Sequence, residues 1–402
     1  MESNPLKNKS AKLNCQYCGN NPVPHFIYWF FESLNILLSP IRQRLIKIFS
    51  FASLPNFSLP LTKLAAFLHI VTFNEDINKC KVSRAKVLWE EAQKRGIKMK
   101  ELLLFGKPFD TYVAGYPLPT THYPLIFSGL PRPKNIDRAA LDAMDDKAIL
   151  KKKFVKAGLP VPKGGSVWNF FEAKKIFQHI EKPVIVKPRA GSRGRHSTTY
   201  VSSISDLQSA YEISKKLCFW VVVEEQLFGP VFRATVINFE LCGVLRGDSP
   251  QVLGDGVNSV EQLIQIKNLN TPAGVKDIKI DSDTEKFLVR QNLKLTSVLA
   301  KGQGVSLSEK IGVNYGGSSC EDFEICHPDN KELFVQAARL VNDPIVGFDF
   351  IIPDITKSWK GQKCGFLEAN SLPFIDLHYN PLLGKPRNVA AKVWDTILND
   401  KN

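Results

Sequence analysis

The sequence predicts an α+β fold in which sheets face a cleft, preceded by a small α/β unit and a hydrophobic helical segment. Its 402 residues, 44% hydrophobic and 10% aromatic, have the composition of a globular chain with more than one compact unit. Beyond Ile136, strand-like and helix-like runs are mixed and do not strictly alternate, which argues against a doubly wound sheet. We predict three regions, 1–72, 73–135 and 136–402.

The first region is rich in apolar residues from Phe26 to Phe73. Prolines and charged residues interrupt it, so it contains no apolar run of about 20 residues that could span a membrane. Between Pro40 and Pro55, the segment 41–54 has apolar residues at helical spacing and basic residues near them. This pattern is typical of an interfacial membrane helix, but ordinary packed helices share it, and we favour packing on its own domain or another subunit.

Cys15 and Cys18 form a C-x-x-C pair with the spacing of a zinc knuckle. No second C-x-x-C follows, so a structural Zn²⁺ would need further ligands from His25, His69 or Cys80. The eight cysteines are scattered and the first ten residues lack an apolar signal core. These features favour a reducing, cytoplasmic location, with membrane association of residues 26–73 as the alternative.

The second region is predicted to contain a helix and a strand. Ala85, Leu88, Trp89 and Ala92 recur on one helical face, Gly96 ends the helix, and the following ELLLFG is a short buried strand. We interpret the residues after this strand as a loop and the proline-rich segment 118–135 as a linker.

The third region is predicted to alternate irregularly between helices and strands. Short helices are expected within 137–164, 166–180 and 330–341. Strands are expected within 182–188, 198–203, 219–229, 233–247, 344–353 and 364–370.

Lys187 closes a β-branched strand and is followed at once by a loop of Gly, Ser and Arg. Small residues let backbone N–H groups approach an anion, and the lysine supplies a positive charge, so this stretch predicts a phosphate site. It is not a P-loop, because the chain has no G-x-x-x-x-G-K-[ST].

Two later strands carry polar groups where apolar residues are the rule. Asp349 interrupts GFDFII, while Glu368 and Asn370 lie two residues apart and therefore on one face of the next strand. Oxygen ligands of this kind suit Mg²⁺ shared with nucleotide phosphates. The alternative is a buried carboxylate paired with Arg or Lys.

These stretches, in the order in which they occur from about residue 140 to 395, resemble the ATP-grasp ligases. The resemblance is strongest to the ATP-grasp part of cyanophycin synthetase and of the fused bacterial glutathione synthetase. It implies an ATP-grasp fold and an ATP-dependent carboxylate-amine ligase that forms an amide bond through an acyl phosphate and releases ADP and phosphate. The expected substrates are an acid and an amine, each an amino acid or a short peptide, and the expected assembly is a homo-oligomer.

The resemblance also assigns roles to residues of this chain. Lys187 and Arg233 become catalytic cations near the transferred phosphoryl group, and Asp349, Glu368 and Asn370 become ligands of two Mg²⁺, for which Mn²⁺ is an alternative. The remaining ATP contacts are Lys147 and Lys187 for the phosphates, Ser192, Arg193 and Gly194 for the covering loop, and Glu224, Glu225 and Leu227 for the adenine. Because these positions begin at Lys147, residues 1–72 are expected to be dispensable for nucleotide binding.

Two positions depart from the family pattern. Val231 stands where relatives usually carry an acidic residue for the ribose, and Ser308 follows Leu307 where they usually carry arginine. A catalytically degenerate nucleotide-binding scaffold is therefore one alternative, and a membrane-binding or partner-binding protein led by residues 26–73 is another.

The charge and three further residues complete the expectations. A net charge of +14 favours an anionic partner, but recognised nucleic-acid motifs are missing, so specific nucleic-acid binding is not expected. His378 and Arg387 are candidates for substrate contacts or, equally, an ordinary surface pair. His327 is expected to start a helix, because Pro328 suits the first helical position.

Overall fold

The first helix precedes the sheets and is longer than predicted. The computed structural model describes residues 15–18, 22–49, 66–115, 124–133, 144, 146–191 and 194–399. Helix α1 (His25–Phe49) passes through Pro40, so the expected start at residue 41 is wrong, and residues 50–54 lie outside the described ranges. Proline removes one helical hydrogen bond, a loss that the remaining turns of a long helix can offset. None of the helices in these ranges is both long and apolar enough to cross a membrane.

The next elements form an antiparallel sheet in the order β1-β2-β3-β4. They are β1 (Val71–Asn74), α2 (Ser83–Lys94), β2 (Met99–Leu104), β3 (Lys107–Ala114) and β4 (Leu125–Ser128). The predicted helix is confirmed: its four apolar residues are buried in α2, and Gly96 follows the helix with φ +71°. The predicted strand is confirmed as β2.

Two expectations in this region are wrong. The loop expected after β2 is strand β3, and the expected linker contains strand β4. Phe105 and Gly106 join β2 to β3 with φ values of 49° and 72°, which makes the tight turn that suits a hairpin. Pro108 argued against a strand, but it lies beside a register irregularity, where a missing N–H is tolerated.

A second antiparallel sheet follows, in the order β5-β8-β6-β7. Its elements are α3 (Lys147–Lys156), β5 (Gly164–Val167), α4 (Phe170–His179), β6 (Val184–Pro188), β7 (Thr198–Val201), α5 (Ile204–Lys215) and β8 (Val221–Glu225). The predicted strands at β6, β7 and β8 are confirmed. Helix α4 begins later than expected because residues 166 and 167 belong to β5 and the Asn169 side chain accepts the N–H of Glu172.

The third sheet has the order β15-β14-β9-β10-β13-β16 and is antiparallel except where β13 meets β16; β11 and β12 pair separately. The elements of this part of the chain are, in chain order, β9 (Val231–Ile237), β10 (Glu240–Gly247), β11 (Gln251–Leu253), α6 (Val260–Leu269), α7 (Ser282–Arg290), β12 (Gly304–Ser306), β13 (Ser319–Glu321), α8 (Pro328–Val341), β14 (Ile345–Ile351), β15 (Gly365–Asn370), α9 (Ile375–Tyr379), β16 (Leu383–Gly384) and α10 (Val389–Leu398). The predicted β14, β15 and α8 are confirmed, and His327 caps α8 by accepting the N–H of Asp329 at 3.1 Å.

Helix α3 is fixed to the third sheet by an aromatic core. The rings of Phe154, Phe334, Phe348, Phe350 and Phe366 are fully buried, with neighbouring centroids 4.8–6.2 Å apart. Offset and edge-to-face aromatic pairs of this kind stabilise beyond the area that they bury. Because Phe154 belongs to α3, this core fixes α3 on the third sheet.

Candidate functional site

The start of helix α3 is held against the end of strand β6. The Asp146 side chain caps the helix by accepting the N–H groups of Ala148 and Ile149. Arg189, just beyond β6, donates Nε and Nη2 to the two carboxylate oxygens of Asp146 at 3.0 and 2.6 Å. A bidentate pair of this type fixes orientation as well as distance. It therefore positions the first residue of α3, Lys147, beside the strand that carries Lys187.

Three lysine side chains converge between the second and third sheets. Lys187 of β6 and Lys151 of α3 both form ion pairs with Glu224 of β8. The Nζ atom of Lys147 lies 3.5 Å from Oε2 of Glu368 in β15 and donates to the Gly191 carbonyl at 3.0 Å. Helix α3 thus links the two sheets through charged side chains.

Burial and mutual repulsion lower the pKa values of two of these lysines. Burial, followed by the nearby Lys147, lowers the pKa of Lys187 to about 8. Burial also lowers the pKa of Lys151 well below its usual range, with Lys187 and Lys147 adding to the effect. Removing ammonium groups from water disfavours their charged form, and a bound polyanion would restore it. The arrangement therefore favours a polyphosphate ligand.

Acidic and basic groups of the third sheet face each other across neighbouring strands. Asp349 of β14 is in register with Glu368 on one side and Arg233 of β9 on the other. Its Oδ1 lies 3.7 Å from Arg233 Nε and accepts Nδ2–H of Asn370 at 3.5 Å. Burial raises the pKa of Asp349 to about 7; Arg233 opposes this rise and Glu368 adds to it. Two close carboxylates and an amide oxygen form a hard oxygen set that suits Mg²⁺.

A cavity of about 370 Å³ lies beside Lys147, Glu368 and Asn370. Lys147, Glu368 and Asn370 line one side of it. Helix α1 lines the other, through Tyr28, Glu32, Asn35, Ile36 and Ser39. Residues of the first region therefore border the proposed site, and the dispensability of residues 1–72 for nucleotide binding stays a prediction. The sequence could not reveal this proximity, because it joins residues far apart in the chain.

The proposed nucleotide residues fall into two groups. Lys147, Lys187 and Glu224 come together with Asp349, Arg233, Glu368 and Asn370 around the cleft. Glu225 instead accepts the backbone N–H of Lys163 at 2.9 Å, and the Leu227 side chain is buried. Gly194 is described, with φ +64°, whereas Ser192 and Arg193 lie outside the described residues.

Sequence reasoning missed Asp146, Lys151 and Arg189. Lys151 is four residues after Lys147, so helical periodicity could have placed both on one face. Arg189 is two residues after Lys187, so strand periodicity could have placed both on one face. Asp146 precedes the helix as a typical cap, and only the structure shows its second role with Arg189.

The side chains of His378 and Arg387 both have interaction partners within the protein. His378 is buried, with Nδ1 2.6 Å from Glu321 Oε2 and Nε2 2.7 Å from Thr235 Oγ1. The surface interpretation is therefore wrong for His378. Arg387 lies over the Phe323 ring, 3.5 Å from its centroid, and donates to Glu324 at 3.0 Å. Both side chains therefore have partners within the protein, and their role in substrate contact stays a prediction.

A second group of polar side chains joins the N-terminal segment to the loop after β6. The Sγ atoms of Cys15 and Cys18 and ring nitrogens of His25 and His196 all lie within 4.8 Å of one another. Within the part of the chain that the structure describes, His69 and Cys80 are not in this group, and His25 is. His196 was missed because it is 178 residues from Cys18.

Comparison with known proteins identifies the fold. No family model matches the chain. The chain nevertheless has the ATP-grasp fold, confirming the fold predicted from the sequence. It aligns with a bifunctional glutathione synthetase from Pasteurella multocida at a TM-score of 0.55 and 24% identity, over 79% of this chain and 43% of the other.

Two curated proteins are similar in sequence to about two thirds of this chain. A cyanophycin synthetase of Crocosphaera subtropica is 31% identical over 267 residues, which are 64% of this chain and 31% of the relative. The glutathione biosynthesis bifunctional protein GshAB of Clostridium perfringens is 29% identical over 265 residues, 64% of this chain and 34% of the relative. The chain is a homologue of these ATP-grasp proteins but spans only about a third of their length.

Proposed function

We propose that this chain is an ATP-dependent carboxylate-amine ligase that forms an amide bond through an acyl phosphate. The observation that carries the proposal is the meeting of two groups across one cleft. Lys187 and Lys151 pair with Glu224 of the second sheet, Asp349, Glu368 and Asn370 belong to the third sheet, and Lys147 contacts Glu368 between them. Cations for a triphosphate and oxygen ligands for its metal ions are the parts that phosphoryl transfer requires.

ATP and Mg²⁺ are the proposed cofactors, with Mn²⁺ as a substitute. Lys147 and Lys187 would contact the phosphates, and Glu224 with the backbone near Leu227 would contact the adenine. Asp349, Glu368 and Asn370 would hold the metal ions, which supply charge neutralisation at the β- and γ-phosphates. Zn²⁺ at Cys15 and Cys18 would be structural, because the reaction needs no thiol.

The reaction needs no nucleophilic side chain. The carboxylate oxygen of the acid substrate attacks the γ-phosphorus of ATP, the bond to the bridging oxygen breaks, and ADP leaves. The amine then attacks the acyl carbon, phosphate leaves, and the amine loses a proton. Lys187 and Arg233 lie on the two sides of the cleft, where they can stabilise the charge of the transferred group. Closure of the cleft would keep water from the acyl phosphate.

The proposed substrates are an acid and an amine of amino-acid or short-peptide size. The relatives' names denote synthesis of cyanophycin and glutathione, both built from amino acids, which supports this class. Because the chain spans a third of those proteins, neither complete synthesis is proposed for it. The degenerate scaffold remains the second candidate, favoured by Val231 and Ser308. Retention of the lysines and of the oxygen ligands supports turnover instead.

Helix α1 is the proposed contact surface for another molecule. The exposed apolar residues Phe26, Ile27, Phe30, Phe31, Leu37, Leu38 and Ile41 lie on it. A contiguous exposed apolar surface usually covers a partner or membrane surface. We expect a second copy of the chain, and light scattering with and without anionic liposomes distinguishes this from peripheral membrane contact.

A phosphate-release screen tests the ligase. Purified protein is given ATP, Mg²⁺ and pairs of amino acids or dipeptides, and the reaction is followed by phosphate release and mass spectrometry of the amide. Lys187→Ala and Glu368→Gln serve as inactive controls, each expected to lower the rate about a thousandfold or more while leaving the melting temperature near that of the wild type. Near wild-type turnover in either variant would contradict the assigned roles.

A further inference from the structure

We propose that Cys15, Cys18, His25 and His196 bind one structural Zn²⁺, and that this ion fixes helix α1 across the cavity. Metal binding is independent of the proposed ligase function. Only the interpretation of the cavity as part of the ligase site rests on that function. The proposal adds a ligand, His196, that the sequence spacing could not supply, and it gives the N-terminal segment a role in the site.

The distances match a tetrahedral metal site. With Zn–S near 2.3 Å and Zn–N near 2.0 Å, a sulfur and a nitrogen on the same ion lie about 3.5 Å apart. The Sγ atoms of Cys15 and Cys18 are 3.4 and 3.5 Å from His196 Nε2, and Cys18 Sγ is 3.3 Å from His25 Nε2. These three sulfur–nitrogen separations match the S–N edges of a Cys₂His₂ tetrahedron, and the four ligand atoms all lie within 4.8 Å of one another.

His196 is also oriented as a metal ligand should be. Its Nδ1 lies 2.7 Å from the carbonyl oxygen of Ile213, to which an Nδ1–H donates, so that the lone pair of Nε2 faces the two sulfurs. The backbone of His196 is held as well: its N–H donates to Tyr17, and its carbonyl accepts the Ser214 hydroxyl, both at 2.9 Å. The residue has φ +52°, a left-handed conformation that a non-glycine residue adopts only at some cost.

The ligand types select zinc and a structural role. Two thiolates with two imidazoles in tetrahedral geometry favour Zn²⁺ over the hard cations proposed for the cleft. Four protein ligands leave no open position for substrate or water, which is the mark of a structural site. Binding displaces the two thiol protons to solvent, and all the cysteines of the described ranges are free of disulfides.

The ion would join two parts of the chain that enclose the cavity. Cys15 and Cys18 precede α1, His25 is its first residue, and His196 follows the glycine-rich loop after β6. Two further contacts support the same docking. Ser33 of α1 accepts the N–H of Phe219 at 3.0 Å, and the Arg195 guanidinium lies 6.0 Å from the centroid of the Tyr28 ring. Together these contacts hold the first turns of α1 opposite Lys147 and Glu368.

Metal content tests the site without any assay of activity. Protein purified under reducing conditions without chelator is analysed by plasma mass spectrometry, with about one zinc per chain expected. The double variant C15S/C18S and the single variant H196A should fall to background. His69→Ala and Cys320→Ser, matched changes outside the group, should keep the wild-type content. Zinc-free protein that also fails to take up added Zn²⁺, or zinc retained in H196A, would overturn the ligand set.

Replacing zinc with cobalt tests the site in the wild-type protein, so the test does not depend on whether the variants fold. Wild-type protein stripped with a chelator and titrated with Co²⁺ should develop the strong visible absorption of tetrahedral cobalt and a thiolate charge-transfer band. Weak absorption typical of octahedral cobalt would contradict the site.

Hydrogen exchange tests the docking of α1. Amides of residues 25–39 should exchange faster after zinc removal, whereas amides of α8 should not change, since α8 belongs to the core of the third sheet. Equal protection of α1 with and without zinc would overturn the second half of the proposal. Failure of the ligase assay would leave both results unaffected.

Discussion

Lys187 is buried beside Glu224, with Lys151, Lys147 and Glu368 as the other charged groups around it. Because its pKa is about 8, the free protein loses this cation as the pH rises through 8. Bound phosphates would favour the ammonium, so binding above pH 8 must take up a proton. We expect the affinity for ATP with Mg²⁺ to be constant from about pH 6.5 to 7.5 and to fall by up to about tenfold per pH unit above 8. Titration calorimetry measures this.

Lys187→Arg is the control for that prediction. Arginine stays charged across this window, so its affinity profile should lack the decrease. The stability of the free protein should also depend on Lys187: the unfolded chain binds more protons than the folded one between pH 8 and 10.5, so Lys187 makes stability rise with pH there. The same slope of affinity in both proteins would assign the titration to another group.

Substitution of Glu368 should affect the stability of the protein and its nucleotide affinity in different ways. It adds to the raised pKa of the neighbouring Asp349, because two close carboxylates repel each other. We expect Glu368→Gln to melt at or above the wild-type temperature yet to lose about tenfold or more of the Mg²⁺-dependent nucleotide affinity. Differential scanning calorimetry and nucleotide titration with and without Mg²⁺ measure the two effects.

The control is Glu332→Gln, an exposed position of helix α8. It should change neither quantity measurably. A Glu368 variant that lost stability but kept its Mg²⁺ response would show that the carboxylate is structural.

Among the elements, β10 and α9 are joined by a buried polar network. His378 of α9 bridges Glu321 and Thr235, and the second oxygen of Glu321 accepts the Val244 N–H at 2.7 Å. Removing the imidazole leaves buried groups without partners. We expect His378→Ala to lower the free energy of unfolding by about 3 kcal/mol, as measured by urea denaturation, with little effect on ATP affinity in the folded protein.

His179→Ala, at the exposed end of α4, is the comparison and should cost less than about 0.5 kcal/mol. If His378→Ala unfolded like the wild type but weakened substrate binding, the role in substrate contact would be restored.

The elements also show what local pattern can predict. The strands that carry Lys187, Asp349 and Glu368 were predictable, because charged residues inside β-branched runs stand out and their periodicity assigns a face. Strand β3 was missed because Pro108 opposes a strand and only the partner strand decides the outcome. The helical path through Pro40 was missed for a related reason, since tertiary packing decides whether a long helix tolerates the lost bond.

In the molecule as a whole, long-range contacts set the limit of sequence reasoning. Lys147, Lys187, the acidic strands and the fold followed from local patterns and from a family resemblance. The position of α1 over the cavity and the approach of His196 to the C-x-x-C pair did not, because they join residues far apart in sequence. Helix α3 joins the two sheets. Phe154 packs in the core of the third sheet, Lys147 pairs with Glu368 of that sheet, and Lys151 pairs with Glu224 of the second.

The identity of the nucleotide product tests the central claim most directly. With a productive acid substrate and hydroxylamine in place of the amine, an acyl phosphate is trapped as a hydroxamate. The proposed roles of Lys187, Arg233 and the oxygen ligands at the β- and γ-phosphates predict ADP and hydroxamate in equal amounts. Release of AMP and pyrophosphate with that same acid would contradict the mechanism, even though the fold would stand.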